Sequence, residues 1–156
     1  MLVPAILYKA EIESAFAKEL YTDGYFYYSG YAHCGSLPEI NAEDLVYQYA
    51  IIDKSEKLIG YICYQVTSSG DCAYNFGLYS FDRGNCIIGK DLYEKMEELV
   101  STYHRVEWRM VGGNPVQKHY DAFCKRHNGN RVTLHDMCKD KYGKYHNEYI
   151  YEIIND

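Results

Sequence analysis

No run of apolar residues in this chain of 156 approaches the roughly 18–20 residues that a membrane-crossing helix needs, so no membrane insertion is expected. The apolar start from Met1 to Leu7 is short and lacks the charged residues that open a signal peptide, which predicts a soluble cytoplasmic protein. A surplus of positive charge is also missing. Sixteen Lys and Arg stand against 22 Asp and Glu, a net charge of −6, and this argues against a broad phosphate-binding surface and against nucleic acid as a ligand. A local basic patch at Lys118, Lys125 and Arg126 remains compatible with that balance. There is no internal repeat, no low-complexity segment and no composition shift marking a boundary, so residues 1–156 are expected to form one domain around one core.

The 6 cysteines are not arranged as a disulfide framework. Cys34, Cys63, Cys72, Cys86, Cys124 and Cys138 are scattered, and Cys63 and Cys72 sit in apolar runs where a reduced thiol behaves as a small hydrophobe. Six free thiols are expected. Cys124-x-x-His127 followed by His135-x-x-Cys138 has the donor types of a zinc site. The first pair falls at a helix end and the second on a strand, with neither in a knuckle-like turn, so no metal is expected.

Helical spacing of Ile12, Ala15, Phe16 and Leu20 predicts an amphipathic helix within Tyr8 to Leu20. Tyr21, Tyr25, Phe26, Tyr27, Tyr28 and Tyr31 follow, crowded around Gly24 and Gly30, and Pro38 and Asn41 mark a loop. Strands are predicted over Val46 to Ile52 and Leu58 to Val66, joined by the polar turn from Asp53 to Lys57. Ser68 to Asp71 makes another turn before a third strand from Cys72 to Phe81. The stripe Leu92, Met96, Leu99 and Tyr103 predicts a helix over Lys90 to Tyr103. On a fourth strand, Val106 to Val111, Glu107 and Arg109 share one face and Val106, Trp108 and Met110 the other.

Asn114 is read as the N-cap of the next helix with Pro115 at its first position, and Asn128-Gly129 as its end. Tyr120 and Phe123 would face the sheet. Arg131 to Met137 and Tyr145 to Ile154 then read as a closing hairpin across Tyr142-Gly143-Lys144.

The succession Leu58-Ile59-Gly60-Tyr61, Asn75-Phe76-Gly77-Leu78-Tyr79, the turn from Arg83 to Gly89, and Asn114-Pro115 followed by Tyr120 resembles the GNAT superfamily of acyl-CoA-dependent N-acyltransferases. The likeness runs from about Val46 to the C-terminus. It implies an α/β (α+β) fold with a mixed, mostly antiparallel twisted sheet and helices on both faces. It also implies acetyl-CoA or another acyl-CoA as co-substrate, held in the V between the third and fourth strands read above. Carried over, the bulged-strand contacts to pantetheine fall to Leu78, Tyr79 and Ser80. The pyrophosphate turn falls to Arg83, Gly84, Asn85, Cys86, Ile87, Ile88, Gly89 and Lys90, with Asn114 contacting the cofactor and Tyr120 protonating the departing thiolate. Cys86 and Ile88 stand where the family's turn has small residues.

The implied reaction is attack of an amine on the thioester carbonyl, with an amide of the bulged strand stabilising the oxyanion. A small-molecule or peptide amine would be the acceptor. Glu107 is the candidate base, with an ion pair to Arg109 as its structural alternative and a water relay as the other route. Tyr120 is one of 19 tyrosines, and packing against the sheet is its alternative role. His119 would replace it if the helix phase differed. Asp82 and Arg83 can equally be a solvated strand end, and Cys86 has no identifiable base beside it to make it a nucleophile. The Tyr21 to Tyr31 cluster is read as an acceptor wall, with core packing or a homodimer patch as alternatives. The competing function is a catalytically silent GNAT-like module that binds a ligand or partner.

Overall fold

The computed structural model describes residues 1–29 and 37–155. Gly30, Tyr31 and Cys34 of the sequence reading lie outside the described residues. Among the described residues seven strands form one sheet: β1 (Leu2–Pro4), β2 (Val46–Ile52), β3 (Leu58–Val66), β4 (Cys72–Ser80), β5 (Arg105–Val111), β6 (Asn130–Lys139) and β7 (Tyr145–Ile154). Their order is β1-β2-β3-β4-β5-β7-β6, and every neighbouring pair is antiparallel except β4 and β5. The one parallel pair is spanned by a helix, as a crossover between parallel strands requires.

Helices cover both faces. On one lie α1 (Lys9–Glu19) and α2 (Asp23–Ser29), where Ile12, Phe16 and Tyr25 pack with Ala50, Tyr61 and Tyr79 of the sheet. On the other lie α3 (Cys86–Thr102) and α4 (Gln117–Arg126), whose Leu92, Met96, Leu99, Tyr120 and Phe123 cover Ile62, Phe76, Val106, Trp108 and Tyr151. The mostly antiparallel mixed sheet between two helical layers is the architecture expected from the sequence. Trp108 anchors the second layer: its ring is stacked on Tyr151 at 5.1 Å between centroids and meets Tyr120 and Phe123 edge-on.

Two helix starts differ from the sequence reading. Asn85, not a residue near Lys90, caps α3: its extended backbone (φ −70°, ψ 117°) and its Oδ1, which accepts from the Ile87 N–H at 3.0 Å, begin the helix at Cys86. A cap of about 1 kcal/mol offsets the comparable cost of placing Gly89 inside a helix. Asn114, in contrast, does not cap α4. Its carbonyl accepts from the Gln117 N–H at 2.9 Å and its Oδ1 from the Val116 N–H at 3.1 Å, so Pro115 and Val116 close a tight turn before the helix. The far end of α4 is as read: Asn128 adopts φ 53° and the Gly129 N–H bonds back to the Cys124 carbonyl at 2.8 Å.

Candidate active site

The site begins with an irregularity in β4. Asn75 adopts φ 52°, and the β3 register steps from Cys63↔Gly77 to Gln65↔Tyr74, so Asn75 and Phe76 together oppose Tyr64. That is a bulge, a device that re-aims a strand. The Asn75 side chain is held by donation from Nδ2 to Gln65 Oε1 at 3.0 Å. The bulge thus lies upstream of Leu78, Tyr79 and Ser80, to which the resemblance had assigned it.

Beyond the bulge the sheet opens. The pairs Cys72↔Arg105, Ala73↔Val106 and Phe76↔Trp108 join β4 to β5, and no later pair does. Each strand keeps its other neighbour, β4 through Gly60↔Ser80 and β5 through Val111↔Glu148. The backbone groups of β4 that would have bonded β5 therefore face a gap.

A cavity of about 590 Å³ fills that gap and reaches both faces of the sheet, a size suited to a substantial ligand. Its α3–α4 side is lined by Ile88, Gly89, Leu92, Tyr93, Asn114, Val116, His119 and Tyr120. Asp23, Gly24, Tyr27 and Tyr28 of α2, with Arg109 and Glu148, line its other side. Residues Asn75–Ser80 of β4 and the turn at Arg83–Asn85 form the wall between them. Gly84 has φ 86°, a conformation that explains glycine in this turn.

Most residues singled out from the sequence thus border one cavity: Leu78, Tyr79, Ser80, Arg83, Gly84, Asn85, Ile88, Gly89, Asn114 and Tyr120. The Tyr79 hydroxyl donates to Glu19 Oε2 at 2.7 Å. Burial and that carboxylate push its pKa up to about 12. Cys86, Ile87 and Lys90 are not among the lining residues. They belong to the first turns of α3, and Lys90 is an exposed partner of Glu94. The helix start also has fewer open N–H groups than a loop would offer, since Ile87 and Ile88 N–H both bond to Asn85.

Glu107 lies apart from the cavity lining. It precedes Trp108, where β4 and β5 are still joined, and its Oε2 accepts from Arg105 at 2.8 Å, with Arg109 Nε at 3.9 Å from Oε1. The ion-pair alternative describes it, and Arg105 is the principal partner. The carboxylate that does line the cavity is Glu148, 1% exposed, on β7 opposite Val111. A signal for it existed in the alternation of β7, where Glu148 falls opposite in facing to Tyr149 and Tyr151, but its burial depends on tertiary contacts that this alternation does not reveal.

Tyr120 is buried, and burial raises its phenol pKa above the ordinary value. Its hydroxyl makes no hydrogen bond among the described residues, so its ring is packed while its polar atom is uncommitted. His119 lines the same wall. The aromatic segment splits its roles: Tyr25 and Tyr28 pack around Phe16, Tyr27 and Tyr28 border the cavity, and Tyr21 is exposed. The four residues with zinc-ligand spacing do not come together. Cys124 is buried with its thiol donating to the Asn130 carbonyl, and no group of three potential ligands occurs among the described residues. Cys63, Cys72, Cys86 and Cys124 form no disulfide.

Similarity to solved structures decides the fold. A GCN5-related N-acetyltransferase from Kribbella flavida superposes with a TM-score of 0.71 over 99% of this chain and 97% of its own, at 12% identity. This is the GNAT fold. The ribosomal-protein-S18-alanine N-acetyltransferase from Escherichia coli shares the GNAT fold with this chain at a TM-score of 0.57 and 14% identity, covering 72% of this chain and 71% of its own. A ribosomal L7/L12 alpha-N-protein acetyltransferase in complex with coenzyme A aligns at 0.53 and 17% identity, over 72% and 63%. No family model matches the sequence. No curated protein matches it either. The likeness is therefore carried by the GNAT fold alone. Among the described residues no helix is long and apolar enough to cross a membrane.

Proposed function

We propose that this protein transfers an acyl group from an acyl-CoA thioester to an amine. The observation that carries the proposal is the cavity through the parted strands, which has Tyr120 on one side and Glu148 on the other. Thioester and amine can approach from opposite faces of the sheet and meet in the gap, where β4 backbone groups are free to bind pantetheine and polarise the carbonyl. The neighbour solved with coenzyme A supports this choice of co-substrate.

The pyrophosphate belongs at the turn from Arg83 to Asn85, where Arg83 supplies positive charge and Gly84 permits close approach. The amine, having lost a proton to Glu148 directly or through water, attacks the thioester carbonyl carbon. The C–N bond forms, the C–S bond breaks, and the thiolate leaves beside Tyr120. With its pKa raised by burial, Tyr120 stays protonated at neutral pH and acts as a hydrogen-bond donor to the departing sulfur. Proton transfer to the sulfur is completed as solvent restores the phenol. Glu148 takes the role that the sequence reading gave to Glu107.

One observation favours the silent module: Asn85 occupies the Ile87 N–H at the helix start, where a pyrophosphate would bind, and Ile88 adds a β-branched side chain to the same wall. Calorimetric titration with acetyl-CoA separates the two readings. Binding, followed by release of free CoA thiol in the presence of an amine, supports the enzyme. Absence of binding at millimolar acetyl-CoA supports the silent module.

A further inference from the structure

Arg109 is an unusual wall for a cavity that accepts an amine, because a guanidinium repels ammonium groups. It lies on β5 just beyond the point where β4 departs, with its side chain 36% exposed, and its five N–H donors make no hydrogen bond among the described residues. Two carboxylates form long ion pairs with it: Glu148 Oε2 is 3.8 Å from Nη1 and Glu107 Oε1 is 3.9 Å from Nε. A charge-assisted N–H···O bond closes to about 2.7–2.9 Å. Glu107 is instead committed to Arg105 at 2.8 Å, and Arg105 is shared with Glu152 at 2.8 Å. Arg109 therefore presents a donor fork to the cavity beside a buried carboxylate.

We infer that the acceptor amine carries its own carboxylate next to the amino group, as a free α-amino acid does, with that carboxylate on Arg109 and the amino group at Glu148. The spacing agrees. In an α-amino acid the nitrogen and the carboxyl carbon are about 2.5 Å apart by standard bond lengths, so both charges can face an Arg–Glu pair whose charged atoms are 3.8 Å apart. A polyamine would set a second cation against Arg109. A peptide N-terminus has an amide where the carboxylate should be and leaves the fork unfilled. Tyr27 and Tyr28 border the same side of the cavity and offer aromatic faces to the acceptor's side chain.

The acceptor class rests on the acyl-transfer reading for its chemistry but not for its binding, and the test uses both. The full chain is titrated with the proteinogenic L-amino acids and their methyl esters, with and without CoA, and release of CoA thiol from acetyl-CoA is measured with each, alongside decarboxylated amines and spermidine. At least one free acid binds, and its kcat/KM exceeds that of its ester by roughly 10²-fold, as expected where a polar site is left unpaired by the analogue. Arg109→Gln brings that ratio to within a few-fold of one. Arg109→Lys, which keeps the charge but not the fork, falls between.

Preference for esters, decarboxylated amines or spermidine overturns the inference. So does an unchanged acid-to-ester ratio in Arg109→Gln, or failure of every free amino acid to bind. Amino-acid binding by a chain that does not bind acetyl-CoA removes the acyl-transfer reading while leaving the carboxylate site. Turnover confined to amines without a carboxylate does the reverse.

Discussion

Phe76 and Trp108 form the last registered pair between β4 and β5, and the cavity opens directly beyond them. The hinge of the site is thus a core contact. Trp108, 1% exposed, holds β5 against Tyr151, Tyr120 and Phe123 while β4 turns away at its bulge.

Trp108→Ala should therefore destabilise the protein by about 3–5 kcal/mol, the range for emptying a large aromatic site. Trp108→Phe should cost only about 1 kcal/mol. The lost volume is offset because the indole Nε1 is buried with no hydrogen-bond partner among the described residues, and phenylalanine removes that burden. Chemical denaturation followed by far-UV circular dichroism measures both variants. Equal losses in the two would show that the orphan N–H has a partner in solution.

Tyr120→Phe should lower turnover by roughly 10²-fold with CoA affinity nearly unchanged, the low end for losing a positioned proton donor. Thermal stability should be unaltered, since the hydroxyl makes no hydrogen bond among the described residues. Steady-state kinetics with a productive acceptor and a melting curve check the two halves separately. Full kcat in the variant would make Tyr120 a packing residue and pass the donor role to His119, which lines the same wall.

Asn85→Ala removes the cap of α3 and should cost about 1 kcal/mol in the ligand-free protein. If the Asn85 side chain and a pyrophosphate compete for the Ile87 N–H, the variant should bind CoA more tightly by about fivefold, the equivalent of that energy. Calorimetry with wild type and variant reads this directly. Weaker binding in the variant would mean that Asn85 itself holds the ligand.

Alkaline pH should unfold this protein early. Burial raises the phenols of Tyr28, Tyr61, Tyr64, Tyr120 and Tyr151, and burial with Glu19 takes Tyr79 to about 12. Each raised pKa favours the protonated form in the folded state, so the stabilisation is complete below the unfolded phenol value near 10. It is lost as pH rises from there through the folded values, because the unfolded chain releases its protons first. Melting temperatures between pH 8 and 11 should be flat and then fall, and Tyr120→Phe should lessen the fall. A flat profile to pH 11 would contradict the burial of these hydroxyls.

Local pattern determined the elements of this protein. Alternation and β-branched content specify Val46–Ile52 and Leu58–Val66, turn residues at Asp53 to Lys57 join them, and facing along β5 separates Glu107 and Arg109 from Val106, Trp108 and Met110. Asn128 ends α4 at φ 53°, a conformation asparagine tolerates better than most residues, and Gly129 follows where a Cβ would collide with the Glu152 carbonyl. Apart from that contact at Gly129, these features depend on neighbours within a few positions, which is why they are legible in one sequence.

Only the tertiary structure decided where the strands part and which carboxylate meets the gap. The bulge at Asn75 depends on the register of β3 and β5 with β4: asparagine tolerates the positive φ there, but that tolerance alone does not place a bulge. Glu107 and Glu148 look alike as strand glutamates. One pairs with Arg105 where the sheet is closed, and the other is buried where β5, β7 and α2 converge at the open end. Their difference arises from contacts between segments far apart in the chain, and a side chain's chemistry is set by those contacts.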